Sequence, residues 1–193
     1  LGLRHGLVQL LRELVKVETL RWIRPFYLYP QQVTDDLLDL YAGEEKITKY
    51  IDMPLQHIND RMLKRMHRLG DRAAIESLVD RIRTRIPMVT FRTAFIVGFP
   101  GETDAAYTEL RDYVERAEFD RVAVFLYSDE EGTGAVGLDE KVERDVMDER
   151  RNEILSVQES ISAAKGRAIV GSILEVLVDG RSEETEHVLE GRH

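Results

Sequence analysis

The chain has no cysteine at any of its 193 positions. Within these residues that excludes a disulfide framework and any zinc or iron-sulfur centre held by thiolates. It has no long apolar run either. The apolar stretches are short and end in glycine, proline or charge, so no segment reads as a membrane-spanning helix. Basic charge is in deficit, with 27 lysines and arginines against 36 acids and a formal net charge of -9, which excludes a uniformly basic nucleic-acid binder. No export signal opens the chain, which predicts a cytoplasmic protein. Leu1-Gly2-Leu3-Arg4-His5-Gly6 lacks an initiating Met and reads as the cut end of a longer one.

What remains is the composition of a soluble globular protein: 43% hydrophobic, 33% charged, long enough for one sizeable core. The charge is uneven. Residues 60 to 85 carry eight bases against four acids, and residues 129 to 159 carry eleven acids against four bases. Two solvated helix faces account for this pattern, and a basic patch near a polyanionic partner is the alternative.

Spacing predicts the elements. Leu7-Val8, Leu10-Leu11 and Leu14-Val15 mark an amphipathic opening helix. Trp22 to Tyr29 has strand length, with Pro25 delaying its start. Thr34-Asp35-Asp36 caps a helix that Gly43 ends. A strand over Ile47 to Leu55 follows, then a basic helix opened by Asn59-Asp60 and a helix over Arg72 to Arg85. Next come a strand over Val89 to Phe99, a helix to Ala117 capped by Thr103-Asp104, and a strand over Arg121 to Tyr127. A long charged helix over 142 to 165 carries Val142, Val146, Ile154-Leu155 and Ile161 as its stripe. Ile169 to Val178 predicts a strand or strand pair ending at the turn Asp179-Gly180, with frayed residues to His193. Alternating strand and helix implies an α/β fold: about four parallel strands with outer helices, an open or partial (β/α) barrel. Chemistry in such folds sits at the carboxyl ends of the strands.

Three of those ends are polar: Asp52-Met53-Pro54-Leu55-Gln56-His57, Gly98-Phe99-Pro100-Gly101-Glu102-Thr103, and Tyr127-Ser128-Asp129-Glu130-Glu131-Gly132-Thr133. Three such ends predict one shared site. Gly98 would let a ligand approach the backbone closely, but the glycine spacing matches neither a P-loop nor a dinucleotide fingerprint. Gln56 offers a donor and an acceptor suited to a ribose or an amino-acid head group. His57 reads as a general base, a metal ligand or an ordinary loop histidine. Glu102 reads as a ligand-facing carboxylate or as the cap of its helix.

Taken together and in order, Tyr50-x-Asp52-x-Pro54-Leu55-Gln56-His57, Leu63-Lys64-x-Met66-x-Arg68, Thr93-x-Phe95-Ile96-Val97-Gly98-Phe99-Pro100-Gly101-Glu102-Thr103 and Tyr127-Ser128-x-x-Glu131-Gly132-Thr133 resemble the radical S-adenosylmethionine methylthiotransferases. The resemblance covers roughly residues 7 to 180. The Pro-Leu-Gln-His strand end and the acidic Glu130-Glu131-Gly132-Thr133 resemble the RimO type, which methylthiolates an aspartate of small-subunit ribosomal protein S-twelve. MiaB-type relatives modify a tRNA adenosine and are the alternative; a non-catalytic α/β binding module is the alternative from another class.

The resemblance implies that residues 1–167 are the carboxyl-terminal part of a radical SAM domain of the partial (β/α)6 barrel kind. It implies that 168–193 open a truncated TRAM domain, poorly ordered or non-natively packed after about Asp179, through which the ribosome or RNA would be contacted. It implies S-adenosylmethionine and two 4Fe-4S clusters in the intact enzyme, with the cluster cysteines outside this chain. The segment alone is expected to bind no cofactor and to be inactive, and no membrane is implied. By resemblance, Ile96 and Gly98 pack along the adenine, Gln56 and His57 lie near the ribose or methionine, Tyr127 and Ser128 meet the adenine edge, and Glu102 completes the set.

Overall fold

The computed structural model of the chain describes residues 6–192. The readings for residues 1–5 and for His193 lie outside them. Two compact units divide the chain, 1–162 and 163–193.

In the first unit, α1 (Gly6–Leu14) buries Val8 and Leu11, and α2 (Asp35–Gly43) starts at Thr34, whose hydroxyl accepts from Leu37 N. Strand β1 (Tyr50–Asp52) leads to α3 (Asp60–Arg65) and α4 (Arg72–Arg85), capped by the side chains of Asn59 and Asp71. Strand β2 (Thr90–Val97) and α5 (Asp104–Ala117) follow, with Thr103 capping α5 through Ala106 N. Strand β3 (Arg121–Leu126) and α6 (Arg144–Ala168) complete the series. The caps arise where the sequence placed them because Ser, Thr, Asn and Asp oxygens satisfy the orphan amides of a first helical turn.

The three strands pair in parallel in the order β1-β2-β3, with Tyr50 opposite Thr90 and Arg92 opposite Arg121. Alternate residues of β2 separate the two faces. Phe91, Phe95 and Val97 join a core filled from α4 by Ile75, Leu78, Val79 and Ile82, from α5 by Leu110, Tyr113 and Val114, and from α6 by Ile154. Arg92 and Ile96, on the opposite face, are half-exposed. The predicted α/β arrangement, a parallel sheet with helices outside it, is borne out.

Several element readings need correction. Trp22 to Tyr29 forms an isolated parallel bridge at Ile23 with Ile47 rather than a strand. Leu28 N still donates to Asp52 O at 2.8 Å, so the segment runs beside β1. Pro25 lacks an amide to donate, and Tyr27 takes φ 59°, so a continuous ladder cannot form. Phe26 and Tyr27 are exposed on this edge. The strand expected over Ile47 to Leu55 is regular only at Tyr50–Asp52, because Pro54 interrupts it. On α6 the buried positions are Met147, Arg150, Ile154 and Gln158, while Leu155 faces solvent. The apolar stripe read from the sequence was therefore displaced, and half of the true one is polar.

In the second unit, β4 (Leu177–Arg181) pairs antiparallel with β5 (Leu189–Arg192). The strand predicted over Ile169 to Val178 begins only at Leu177. Asp179-Gly180 lies inside it at a register shift rather than at a turn, and the connection runs through 182–188. Residues after Asp179, expected to be poorly ordered or non-natively packed, complete this hairpin, and every residue of both strands is exposed.

Candidate functional site

Beyond Asp52 the sheet's first strand bends but does not leave β2. Met53 N donates to Arg92 O at 3.0 Å, and Gln56 N donates to Ala94 O at 2.9 Å. Pro54 leaves a gap in the ladder between them, and Thr93 fills it. Its hydroxyl donates to Met53 O at 3.0 Å and accepts from Leu55 N at 3.3 Å. Gln56 then takes φ 72°, a left-handed conformation uncommon for a residue with a side chain, and its carbonyl accepts from Ile96 N. On the other side Tyr127 N donates to Val97 O, carrying β3 one residue further. Gln56, Ile96 and Tyr127 are thereby brought to one end of the sheet.

A cavity of about 630 Å³ opens there. Gln56, Ile96, Phe99, Leu126, Tyr127 and Ser128 form its strand-end wall, Lys64 to Arg68 from the end of α3 form a second wall, and Thr133 to Leu138 close over it. Phe99 and Tyr127 meet edge to face with centroids 5.0 Å apart. The Tyr127 hydroxyl donates to Asp129 at 2.6 Å, and Lys141 pairs with the same carboxylate. Desolvation, and then that hydrogen bond, raise the phenol's pKa, while Lys141 and then Tyr127 lower that of Asp129. Glu140 fastens the covering loop, pairing with Arg61 and Arg65 while its carbonyl accepts from Gly101 N. The volume lies in the range of small-molecule sites, and the lining is mostly apolar with a few convergent polar groups.

His57, Gly98 and Glu102 are absent from that lining and form a buried layer behind it. His57 Nδ1 accepts from Ile58 N at 2.9 Å and from Asn59 N at 3.0 Å, which leaves Nε2 to donate to Glu102 Oε1 at 3.1 Å. Glu102 Oε2 accepts from Gly98 N at 2.7 Å and from Arg150 Nη1 at 2.6 Å. Arg150 reaches on to Asp104 at 2.6 Å, and the Tyr107 hydroxyl, which donates to Glu153 at 2.6 Å, lies 3.1 Å from the Arg150 carbonyl. His57 and Glu102 are fully buried at the side chain, and Arg150 is 7% exposed there. One carboxylate thus holds the end of β1, the turn after β2 and the flank of α6. The helix-cap role read as an alternative for Glu102 falls to Thr103.

Gly98 has φ 78°, and a Cβ there would lie 2.3 Å from Met147 Cγ. The room its missing side chain leaves is filled by α6, not kept for a ligand. Sequence reading missed Arg150. The signal available was its place on the α6 stripe at helical spacing from Met147 and Ile154, where a charge implies a buried partner. Among the described residues no group of three metal-ligating side chains occurs.

No family model matches the chain. Curated relatives do, over nearly its whole length. The ribosomal protein uS12 methylthiotransferase RimO of Syntrophotalea carbinolica is 51% identical over 183 residues, 95% of this chain and 40% of that protein. Those of Sorangium cellulosum and Aquifex aeolicus are 48% and 45% identical, over 100% and 97% of this chain and 39% and 44% of theirs. The chain thus spans about 40% of the length of the relatives it matches. In fold it is similar to the coproporphyrinogen III oxidase HemN of Escherichia coli, a radical SAM enzyme, with a TM-score of 0.58 at 21% identity over 85% of this chain and 37% of that one. The radical S-adenosylmethionine methyltransferase TsrM of Kitasatospora setae gives a TM-score of 0.51 at 20% identity over 62% of this chain and 24% of its own. The resemblance carried by the four motifs is borne out by these relatives, and the partial-barrel expectation by these folds.

Proposed function

We propose that this chain is a stretch of a radical S-adenosylmethionine methylthiotransferase of the RimO type, and that the whole protein attaches a methylthio group to an aspartate of ribosomal protein uS12. The observation that carries the reading is identity of 44 to 51% with proteins of that name along 95% or more of the chain. Residues 1–167 would be the carboxyl-terminal part of the radical SAM domain, and 168–193 the opening of a TRAM domain that contacts ribosome or RNA. The absence of any span able to cross a membrane among the described residues is compatible with a cytoplasmic enzyme.

The strand-end cavity fits S-adenosylmethionine in size and donor set. Ile96, Leu126 and Phe99 offer an apolar shelf for a base, Gln56 an amide for ribose hydroxyls, and Tyr127-Ser128 backbone groups for the edge of the base. When bound, the cofactor would supply the methyl group and the radical chemistry. The iron-sulfur clusters do not fit these residues, since no cysteine is present and no metal-ligating group of three exists among the described residues. This chain's part is positioning. Thr93 and the Gln56 ladder fix the amide at the cavity wall. The His57-Glu102-Arg150 network sets the height of the Gly98 turn against it, and Glu140 fastens the loop that lines the cavity's far side.

The test is anaerobic incubation of the full-length enzyme with uS12 and, separately, with tRNA, followed by mass spectrometry. Methylthio addition to a uS12 aspartate is the expected result. Addition to a tRNA adenosine alone would replace this reading with a MiaB-like one.

A further inference from the structure

The half-exposed face of the sheet, the one without helices, carries a second and smaller cavity of about 360 Å³. Arg68 and Arg92 both line it, together with Gln56, Tyr27, Tyr29 and Phe125. Gln56 and Arg68 also line the strand-end cavity, so the two spaces adjoin.

The charge in this place is unbalanced. Arg92 Nη1 donates to Asp52 Oδ1 at 2.8 Å, which anchors the guanidinium and leaves its other N–H groups. Arg121 stands next to Arg92 in the same row of the sheet. Arg68 is half-buried and lies 5.7 Å from the centroid of the Tyr29 ring, with no carboxylate pairing with it among the described residues. Asp52 pairs with Arg92, which stands between it and Arg121 in the sheet row; Arg68 joins Arg92 in the lining of this cavity, and Glu130 shares the strand-end cavity with Arg68. The Tyr29 ring lies within cation–π range of the Arg68 guanidinium, whose planar fork of donors matches a carboxylate.

We propose that Arg68 and Arg92 form a receptor for a carboxylate that an acidic peptide presents to this face, beside the cofactor cavity. The proposal rests on the reading of the whole protein as a uS12 aspartate methylthiotransferase, and it names what selects the acidic side chain. The volume admits a side chain with its adjoining backbone, and Tyr27, Tyr29 and Phe125 supply apolar walls for the peptide's carbon atoms. A carboxylate could reach these cations from two sources, the target aspartate or the aminoacyl end of the cofactor. Arg92 lies on the sheet face outside the strand-end cavity, which favours the first.

The test uses the full-length enzyme under anaerobic conditions. A fluorescent uS12 peptide carrying the target aspartate and its asparagine counterpart are titrated by anisotropy, and S-adenosylhomocysteine is titrated by calorimetry. Arg68→Gln is the main variant, because Arg68 has no ion-pair partner to orphan. Arg92→Lys, which keeps a cation beside buried Asp52, is the second. The expected result is aspartate-peptide binding weakened about tenfold by Arg68→Gln, about 1.4 kcal/mol. A smaller loss is expected in Arg92→Lys, whose S-adenosylhomocysteine affinity stays unchanged because Arg92 does not line the strand-end cavity, and asparagine-peptide affinity stays unchanged in both variants. Equal losses for both peptides, or a loss confined to S-adenosylhomocysteine, would overturn the inference. If the unaltered enzyme neither binds nor methylthiolates the aspartate peptide, the functional reading fails and takes the inference with it. If it does both and Arg68→Gln binds the peptide unchanged, the inference alone fails.

Discussion

Glu102 accepts from a histidine, a backbone amide and an arginine while wholly out of solvent. Removing one member of such a buried set leaves the others unpaired, and the loss exceeds the net worth of any one bond. Glu102→Ala should therefore lower stability by about 3 kcal/mol, read from urea denaturation of this chain, and Glu102→Gln should recover part of it. A contrasting carboxylate is Glu153 on α6. Its pKa is lowered by hydrogen bonds from Tyr107 and Arg111, and it is partly exposed. A depressed folded-state pKa contributes stability that is complete above the ordinary glutamate value and is lost as pH falls through the lowered one. Acidifying through that window should thus lower the Tm, and Glu153→Gln should remove this part of the slope. Solvent screening keeps the contribution under about 1 kcal/mol. Both effects belong to single side chains, and the sequence showed them unequally. Glu102 could be singled out because it follows a glycine-proline turn at a strand end. Arg150 was harder to single out, because its only signal in a charged 25-residue helix is helical spacing from Met147 and Ile154.

At the scale of elements, α6 packs on the turn after β2 through Met147 against Gly98, besides the Arg150–Glu102 pair. Gly98→Ala would place a methyl group within the methionine side chain and impose φ 78° on a residue with a Cβ. A loss of about 2 kcal/mol or more is expected. Adding Met147→Ala should relieve the clash but leave the backbone strain, so the double variant stays below the parent in a thermal melt. The helices were legible because cap residues and helical periodicity agree: the predicted span of α4 is the observed one. Strand limits were less so. Apolar content alone placed strands over Trp22 to Tyr29 and Ile47 to Leu55, whereas Pro25, Tyr27 and Pro54 decide where amides can pair. The hairpin of β4 and β5 escaped for another reason: an aspartate-glycine pair signals a turn in most contexts and here sits at a shift of register.

For the first unit as a whole, the core lies on one side of the sheet. Phe95 is fully buried with its ring 6.1 Å from that of Phe119, while Phe125 on the other face is 56% exposed. Phe95→Ala should cost about 3 to 5 kcal/mol and Phe125→Ala under about 1 kcal/mol, measured by the same urea titration. The asymmetry separates residues kept for folding from those available for binding, and it explains how far the site could be read ahead of the structure. Gln56, Ile96, Tyr127 and Ser128 were placed together because strand ends of a parallel sheet converge. His57 and Glu102 belong to the same ends but face the packed side, a distinction that needs the direction of each side chain.

Thr93 has a consequence of its own. Because one hydroxyl serves both as donor to Met53 and as acceptor from Leu55, the chain can veer off at Pro54 with no stranded amide or carbonyl at either neighbour. A valine of the same outline would keep the packing yet force those two groups to look for water in a dry interior. The bend that presents the Gln56 amide is in this sense hinged on a single oxygen atom.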